Sequence, residues 1–148
     1  MTKAPIWQWS AVETAAAIKA GDVSSQEVVA AHLARMKEAN PALNAVVVDL
    51  GDSALKAAKA ADATRAADKT GSGLGPLHGV PVTIKINIDV EGQANSNGVA
   101  AFKDNIAPGD SPVTANLKKA GAIVIGLTNT PEFSLRAFTD NPLHGLTR

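Results

Sequence analysis

The 148-residue chain is long enough for one domain with a sizeable core, because a chain of this length buries roughly 68–70% of its unfolded surface. Its 14 basic and 14 acidic residues balance, which argues against a nucleic-acid partner or an acidic membrane surface. The absence of cysteine excludes disulfides, thiolate zinc sites and cysteine nucleophiles. No apolar run reaches the roughly 18 residues of a membrane span, and no signal peptide is recognisable. A soluble cytoplasmic protein is expected.

Two capping boxes mark the starts of the first two helices. Ser10 with Glu13, and Ser24 with Glu27, pair a capping hydroxyl with an acidic residue three positions later. The second helix is expected to end at 40–41, where an asparagine and a proline interrupt the apolar periodicity.

The middle of the chain predicts strand, helix, loop and strand in turn. Residues 43–48 form a short apolar run typical of a strand. Residues 52–68 are an alanine-rich helix former in which Leu55 is the one larger residue of the apolar face. Glycines and prolines make 71–81 a loop. Apolar and polar residues then alternate from 80 to 89, which predicts a strand with one apolar and one polar face.

The last third predicts a helix, a strand and another helix. Ser111 is the predicted cap of the first of these helices. Its buried stripe is expected to be Val113, Leu117 and Ala120. Residues 122–127 are apolar without alternation, as in a strand covered on both faces, and a further helix is expected to begin at 130–132. Together the elements predict a single α/β domain over residues 1–148.

Lys85 is the first candidate for a chemical role, because it lies mid-strand among polar neighbours. Thr83, Asn87 and Asp89 share its face. A lysine on this face of an edge strand can simply point into water. Alternatively, burial and hydrogen-bonding neighbours could hold it as a neutral base at a cost of roughly 4 kcal/mol, which Asp89 would oppose. The residues themselves leave both alternatives open.

The spacing of the glycines and histidines argues against a nucleotide site and a metal site. The glycine-rich loop at 71–81 precedes a strand rather than a helix and lacks the G-x-x-x-x-G-K-[ST] pattern, so nucleotide binding is not expected. His32, His78 and His144 are far apart and at no metal-ligand spacing. No metal or other cofactor is therefore expected.

No serine has the context of a nucleophile. Acyl transfer needs a serine on a tight, glycine-flanked turn near amide donors for the oxyanion. Ser10, Ser24 and Ser111 are explained as helix caps, and Ser72 lies in a flexible-looking glycine loop. The remaining serines are Ser25, Ser53, Ser96 and Ser134. No serine pair with flanking glycines occurs.

Three blocks of sequence resemble the amidase-signature family of amide hydrolases. They are GPLHGVPVTIKINID (75–89), ANLKKAGAIVIGLTNTPEFS (115–134) and DNPLHGLTR (140–148). The motifs are specific between 75 and 134, and the similarity to the N-terminal part of the family's core extends over essentially the whole chain. The resemblance implies an incomplete amidase-signature core, in which helices flank a mixed or largely parallel sheet.

Members of this family hydrolyse amides with a Ser–cisSer–Lys triad, and the resemblance implies that Lys85 is the triad lysine. It lies in the G-V-P-V-T-I-K strand, although Ile86 and Asn87 follow where the family more often has Asp-Asn. The bridging serine belongs to a later G-G-S-S-G-G stretch, and neither it nor the nucleophile has a counterpart in these residues. No amidase activity is therefore expected from these residues alone.

Two interpretations follow from the resemblance. In the first, the chain is a truncated product, a fragment or one half of a split enzyme that needs a complementing C-terminal amidase half. In the second, it is a non-catalytic binding or self-associating protein derived from an amidase. An exposed sheet edge and apolar surface are expected to drive formation of a homo-oligomer.

Overall fold

The computed structural model describes residues 4–68 and 70–148. Its helices and strands are, in order, α1 (Ala11–Ala20), α2 (Ser25–Leu43), β1 (Val46–Asp49), α3 (Gly51–Ala67), β2 (Pro81–Lys85), α4 (Pro112–Lys119) and β3 (Ile123–Thr128). Short 3-10 turns lie at Ile6–Gln8, Ala100–Phe102 and Glu132–Ser134. Among the helices of the described residues, none is long and apolar enough to cross a bilayer.

The three strands form one sheet in the order β1-β3-β2. β1 runs antiparallel to β3, with Val46 opposite Thr128 and a bulge after Val46. β2 runs parallel to β3, since Ile123 N donates to Val80 O and Ile86 N donates to Thr128 O, both at 2.9 Å. The sheet is therefore mixed, and the predicted α/β class is confirmed.

The described residues divide into two compact units. The first comprises residues up to 37, 50–82 and 117–125. The second comprises residues 38–49, 83–116 and 126–148. The expectation of a single domain over 1–148 stays a prediction.

Small side chains build much of the core of the first unit. One apolar cluster consists of Val29, Ala54, Ala58, Ile123 and Ile125. A second consists of Ile18, Val23 and Val28. The α3 alanines in the first cluster are at most 1% exposed, whereas Leu55 is 40% exposed. Alanine therefore forms the packed face of α3, and the placing of Leu55 on that face is wrong.

Both predicted capping boxes are present. Ser10 Oγ accepts from Glu13 N at 3.2 Å, and the Glu13 carboxylate accepts from Ser10 N at 2.8 Å. Ser24 and Glu27 make the same two bonds at 3.1 and 2.8 Å. The Ser10 hydroxyl and N–H lower the pKa of Glu13, and the Ser24 N–H and hydroxyl lower the pKa of Glu27.

Helix α2 does not end where the sequence indicated. It continues through Pro41 to Leu43. The Asn40 side chain instead accepts hydrogen bonds from Ala45 N at 2.9 Å and Val46 N at 2.8 Å. Asn40 therefore organises the connection into β1, while Pro41, which has no N–H to donate within the helix, lies inside its last turn instead of ending it.

Strand β2 is shorter than the alternating pattern predicted. It ends at Lys85, because Ile88 N donates to Lys85 O at 2.9 Å and closes a turn. The alternation still predicted burial correctly at Ile84 and Ile86. Strand β3 follows its prediction closely, with only Val124 and Thr128 less than fully buried.

The two predictions for the last helices are wrong in part. Ser111 caps α4 as predicted, with Oγ accepting from Thr114 N at 3.2 Å. However, Val113 of the predicted stripe is 54% exposed, while Thr114 is fully buried. The helix expected from 130–132 is a single 3-10 turn, Glu132–Ser134.

Candidate active site

Lys85 is held by a fixed stretch of backbone. Its neighbours Ile84 and Ile86 are 3% and 2% exposed. Ile86 N donates to Thr128 O at 2.9 Å, and Lys85 O accepts from Ile88 N at 2.9 Å. The half-buried Lys85 side chain therefore leaves the sheet at a defined point, where β2 gives way to a turn.

The Lys85 amine contacts a hydroxyl. Lys85 Nζ donates to Ser134 Oγ at 3.3 Å, and Asn87 Nδ2 donates to the same oxygen at 3.0 Å. Thr130 Oγ1 lies 2.8 Å from Ser134 Oγ. Thr130 is fully buried and Ser134 is exposed, so these four side chains, called the Ser134 cluster below, run from the interior to the surface of the second unit.

Donor and acceptor counting fixes the direction of these hydrogen bonds. An N–H of Lys85 and one of the Asn87 amide donate in these contacts, and a hydroxyl accepts at two lone pairs while donating one proton. Lys85 and Asn87 together fill both acceptor positions of Ser134 Oγ, so its own proton points to Thr130 Oγ1. On the other side of the amide, Asn87 Oδ1 is buried and takes no hydrogen bond from the described residues.

Ser134 has an uncommon backbone conformation. Phe133 and Ser134 have φ angles of 52° and 58°, in the left-handed region that costs a non-glycine residue roughly 1–2 kcal/mol. Ser134 N donates to Pro131 O at 2.8 Å, and Phe133 N donates to Asn97 O at 3.0 Å, which hold the turn in place. Such strain concentrates at functional sites, and it explains why the predicted helix stops after one turn.

A glycine allows close packing against the buried end of the cluster. Gly98 has a φ of 71°, and a Cβ at this position would lie 2.7 Å from Thr130 O. Only glycine suits both conditions. The backbone at Gly98 can therefore pack directly against the backbone of Thr130.

Two buried amides fix the segment that carries Thr130. Asn141 Nδ2 donates to Asn129 Oδ1 and to Thr130 O, both at 2.8 Å. Asn129 Oδ1 also accepts from Thr130 N at 3.0 Å. Asn129 and Asn141 are 6% and 4% exposed, and sequence reasoning gave neither a role. The sequence signal that could have drawn attention to them is an asparagine close to a proline, in N-T-P (129–131) and D-N-P (140–142). This combination is typical of turns.

The side chains predicted to share the polar face of β2 make different contacts after Lys85. Asn87 reaches the Ser134 cluster from the turn that follows the strand. Asp89 Oδ1 accepts from Asn95 Nδ2 at 2.6 Å, and its carbonyl accepts from Thr114 Oγ1 at 2.7 Å. Asp89 therefore organises the loop after β2.

Two of the three histidines contact backbone carbonyls. His32 Nδ1 and His78 Nε2 contact the backbone carbonyls of Val28 and Ala61, at 2.9 and 3.0 Å. Burial lowers the pKa of His144, whose Nε2 is buried without a hydrogen bond from the described residues. Within 4–68 and 70–148, no three side chains of His, Asp or Glu group as metal ligands would.

Large apolar side chains surround Ser134 in the chain. Phe133, Leu135 and Phe138 are 52%, 81% and 60% exposed. The rings of Phe102 and Phe133 meet edge to face, with centroids 6.0 Å apart. The second unit therefore presents apolar surface next to the Lys85–Ser134 contact, a feature of binding and interaction surfaces.

The sequence model of the Amidase family matches residues 27–148, a range that contains the whole Ser134 cluster. The chain belongs to the amidase family. The resemblance inferred from the three sequence blocks is therefore confirmed.

Curated amidase relatives match along almost the whole chain. The indoleacetamide hydrolase of Bradyrhizobium diazoefficiens is 69% identical over 145 residues, which are 98% of this chain and 27% of that protein. Fatty-acid amide hydrolase 2-B of Danio rerio is 39% identical over 147 residues, 97% of this chain and 28% of that protein. The chain thus spans between a quarter and a third of the length of these amidases.

Solved amidase structures share the fold. A fatty acid amide hydrolase superposes with a TM-score of 0.90 at 29% identity, covering 99% of this chain and 26% of that one. The peptide amidase from Stenotrophomonas maltophilia superposes with a TM-score of 0.83 at 30% identity, covering 97% of this chain and 30% of that one. The predicted amidase-signature fold is confirmed over the part of the family that this chain represents.

Proposed function

We propose that this chain supplies the lysine of an amide-hydrolysing active site, with Lys85 as the proton acceptor. The observation that carries the proposal is the bond from Lys85 Nζ to a hydroxyl, at the end of a strand fixed on both sides by buried residues. A lysine used as a base must be held at a defined position within hydrogen-bond reach of the proton that it accepts. The match of the Amidase family to residues 27–148 supports this role.

The proposed reaction converts an amide and water into a carboxylic acid and an amine or ammonia. A serine hydroxyl attacks the amide carbonyl, and its proton passes through a bridging serine to neutral Lys85. The amine leaves with a proton returned by Lys85, and water then cleaves the acyl-serine ester. We propose that both of these serines are supplied by polypeptide outside the 148 residues, such as a complementing C-terminal amidase half.

Primary arylacetamides are the proposed substrate class. The support is the 69% identity to a protein whose name is indoleacetamide hydrolase, well above the 39% identity to a fatty-acid amide hydrolase. Indole-3-acetamide is accordingly the first substrate to test, with ammonia and indole-3-acetate as products. A long-chain fatty amide is the matched comparison.

A chimera tests the proposal. This chain replaces the aligned segment of the Bradyrhizobium diazoefficiens indoleacetamide hydrolase, and ammonia release from indole-3-acetamide is measured. We expect the chimera to be active and Lys85→Met to lower kcat by about 10²- to 10⁴-fold, the range typical of general acid–base groups. Lys85→Arg should lose as much, because a guanidinium keeps the charge but is too weak an acid to act as a base.

The matched control is Lys103→Met, since the Lys103 side chain is 64% exposed and pairs at 3.9 Å with Asp104, whose side chain is 87% exposed. This variant should keep the activity of the chimera. An inactive chimera beside an active parent, or an active Lys85→Met chimera, would refute the proposed role of Lys85.

A second candidate function is non-catalytic binding or self-association. The exposed Phe133, Leu135 and Phe138 favour it, because several large apolar side chains exposed in one short segment are typical of an interaction site. Under this alternative, Lys85→Met would leave the association of the chain unchanged, whereas substitutions of the exposed apolar residues would weaken it.

A further inference from the structure

We propose that Ser134 is a positioning residue for Lys85: its hydroxyl holds the lysine amine, and Thr130 fixes the direction of that hydroxyl. The inference rests on the proposed function for its role in catalysis. Besides the two serines and the lysine of the proposed reaction, it gives a role to a fourth side chain, which sequence reasoning left without one.

Lysine requires such a partner for a physical reason. Its amine is carried on a flexible four-carbon stem, and ordering that stem costs side-chain entropy. Lys85 is half-buried, so packing alone does not fix its end. The 3.3 Å bond to Ser134 Oγ takes one N–H and leaves the other two positions of the amine for further partners.

The Ser134 hydroxyl is itself prevented from rotating. Its proton points to Thr130 Oγ1 at 2.8 Å, and Thr130 is fully buried on a segment fastened by Asn129 and Asn141. Asn87 Nδ2 fills the second lone pair at 3.0 Å. The lone pair that faces Lys85 is therefore held in place by the buried Thr130 and the half-buried Asn87.

The backbone at Ser134 argues that serine is present for its hydroxyl. A φ of 58° is strained for serine and free of strain for glycine. The residue is also exposed, so it contributes little to a core. A structural role alone would be met better by glycine, which makes the hydroxyl the feature that distinguishes serine at this position.

Amine labelling of the 148-residue chain tests the proposal without any assay of activity. A brief pulse of an acetylating reagent is followed by peptide mass spectrometry, with Lys103 in the same sample as the internal reference. Ser134→Gly removes the hydroxyl and relieves the backbone strain, while Ser134→Ala removes the hydroxyl alone. In both variants the labelling rate of Lys85 relative to Lys103 should rise about two- to tenfold, the effect of losing one hydrogen bond.

Two further variants sharpen the result. Thr130→Val should raise the relative labelling of Lys85 by a smaller factor, because Ser134 keeps its hydroxyl but loses its fixed direction. Ser72→Gly, in a loop of the first unit, should leave it unchanged. Wild-type rates in both Ser134 variants would overturn the proposal, and so would a rise shared by Lys103, which indicates general loosening.

Activity of the chimera gives the second measurement. Ser134→Gly should lower kcat several-fold and leave KM within about twofold, because the substrate still binds while the base is misplaced. A Ser134→Gly chimera with unchanged kcat overturns a role in catalysis. If the wild-type chimera is inactive, the proposed function fails, whereas the labelling experiment still decides whether Ser134 positions Lys85.

Discussion

Asp62 Oδ1 accepts the backbone N–H of Ser25 at 2.6 Å, which joins α3 to the first residue of α2. The other carboxylate oxygen accepts from the backbone and the side chain of Gln26, at 3.2 and 2.9 Å. Burial alone would raise the pKa of Asp62, but the bonds from Gln26 and Ser25 outweigh it and lower the pKa. One carboxylate thus satisfies N–H groups that a helix start leaves free.

Asp62→Asn should therefore destabilise the first unit. We expect the free energy of unfolding in urea at pH 7 to fall by about 1 kcal/mol, the typical contribution of a helix cap, since the carboxylate is largely exposed to solvent. Because the folded pKa is lowered, this contribution is present above the ordinary pKa near 4 and is lost as pH falls through the folded value.

The difference between wild type and Asp62→Asn should accordingly shrink below about pH 4. Asp104→Asn is the matched control, because the Asp104 side chain is 87% exposed in a 3.9 Å pair with Lys103. If the two variants have the same stability at pH 7, the helix-start role of Asp62 is wrong.

Gly98→Ala should disturb the segment behind the Ser134 cluster. The added Cβ meets Thr130 O at 2.7 Å in a backbone with φ of 71°, so strain and a backbone clash combine. We expect a loss of about 2–4 kcal/mol in the free energy of unfolding. Gly92→Ala separates the two causes, because φ is 76° there and nothing lies within 4 Å. Gly92→Ala should cost only about 1–2 kcal/mol, and equal losses would show that the contact with Thr130 is unimportant.

Local signals explain what the sequence predicted well. The capping boxes at Ser10 and Ser24 require only residues three positions apart, and both are present. The alternation before Lys85 predicted the burial of Ile84, because a strand's period depends on its own residues. The proposal that Lys85 is the triad lysine came instead from a family motif, which carries information that no periodicity contains.

Long-range hydrogen bonds explain what the sequence could not predict. Thr114 is buried in place of Val113 because its Oγ1 donates to Asp89 O, 25 positions earlier. Ser134 meets Lys85 across 49 positions, and no local pattern reports such a contact. The same holds for the two asparagines that fix Thr130, which are buried although asparagine is mostly found at protein surfaces.

His144 should make the second unit sensitive to acid. Burial lowers the pKa of His144, so the folded state favours the neutral ring and binds fewer protons than the unfolded state near pH 6.5. Stability is therefore complete above the ordinary pKa and declines as pH falls through the folded value. Urea unfolding of wild type between pH 8 and about 5 should show this decline more steeply than His144→Gln, which keeps a polar side chain without the charge.

The remaining histidines are common to both proteins, so their contribution cancels in the comparison. Parallel pH profiles for wild type and His144→Gln would show that burial of this ring does not control the acid response.

The exposed apolar residues beside the Ser134 cluster should drive self-association. Leu135 and Phe138 are 81% and 60% exposed, and removing apolar area from water gains roughly 25 cal/mol per Å² buried. We expect light scattering to show a homo-oligomer at micromolar concentration and Leu135→Ser/Phe138→Ser to shift it towards monomer. Val12→Ser on α1, where Val12 is 79% exposed, is the matched loss of an isolated apolar side chain and should leave the mass unchanged. A wild-type monomer across the concentration range would contradict this role for the apolar surface, whereas an equal effect of Val12→Ser would place the interface elsewhere.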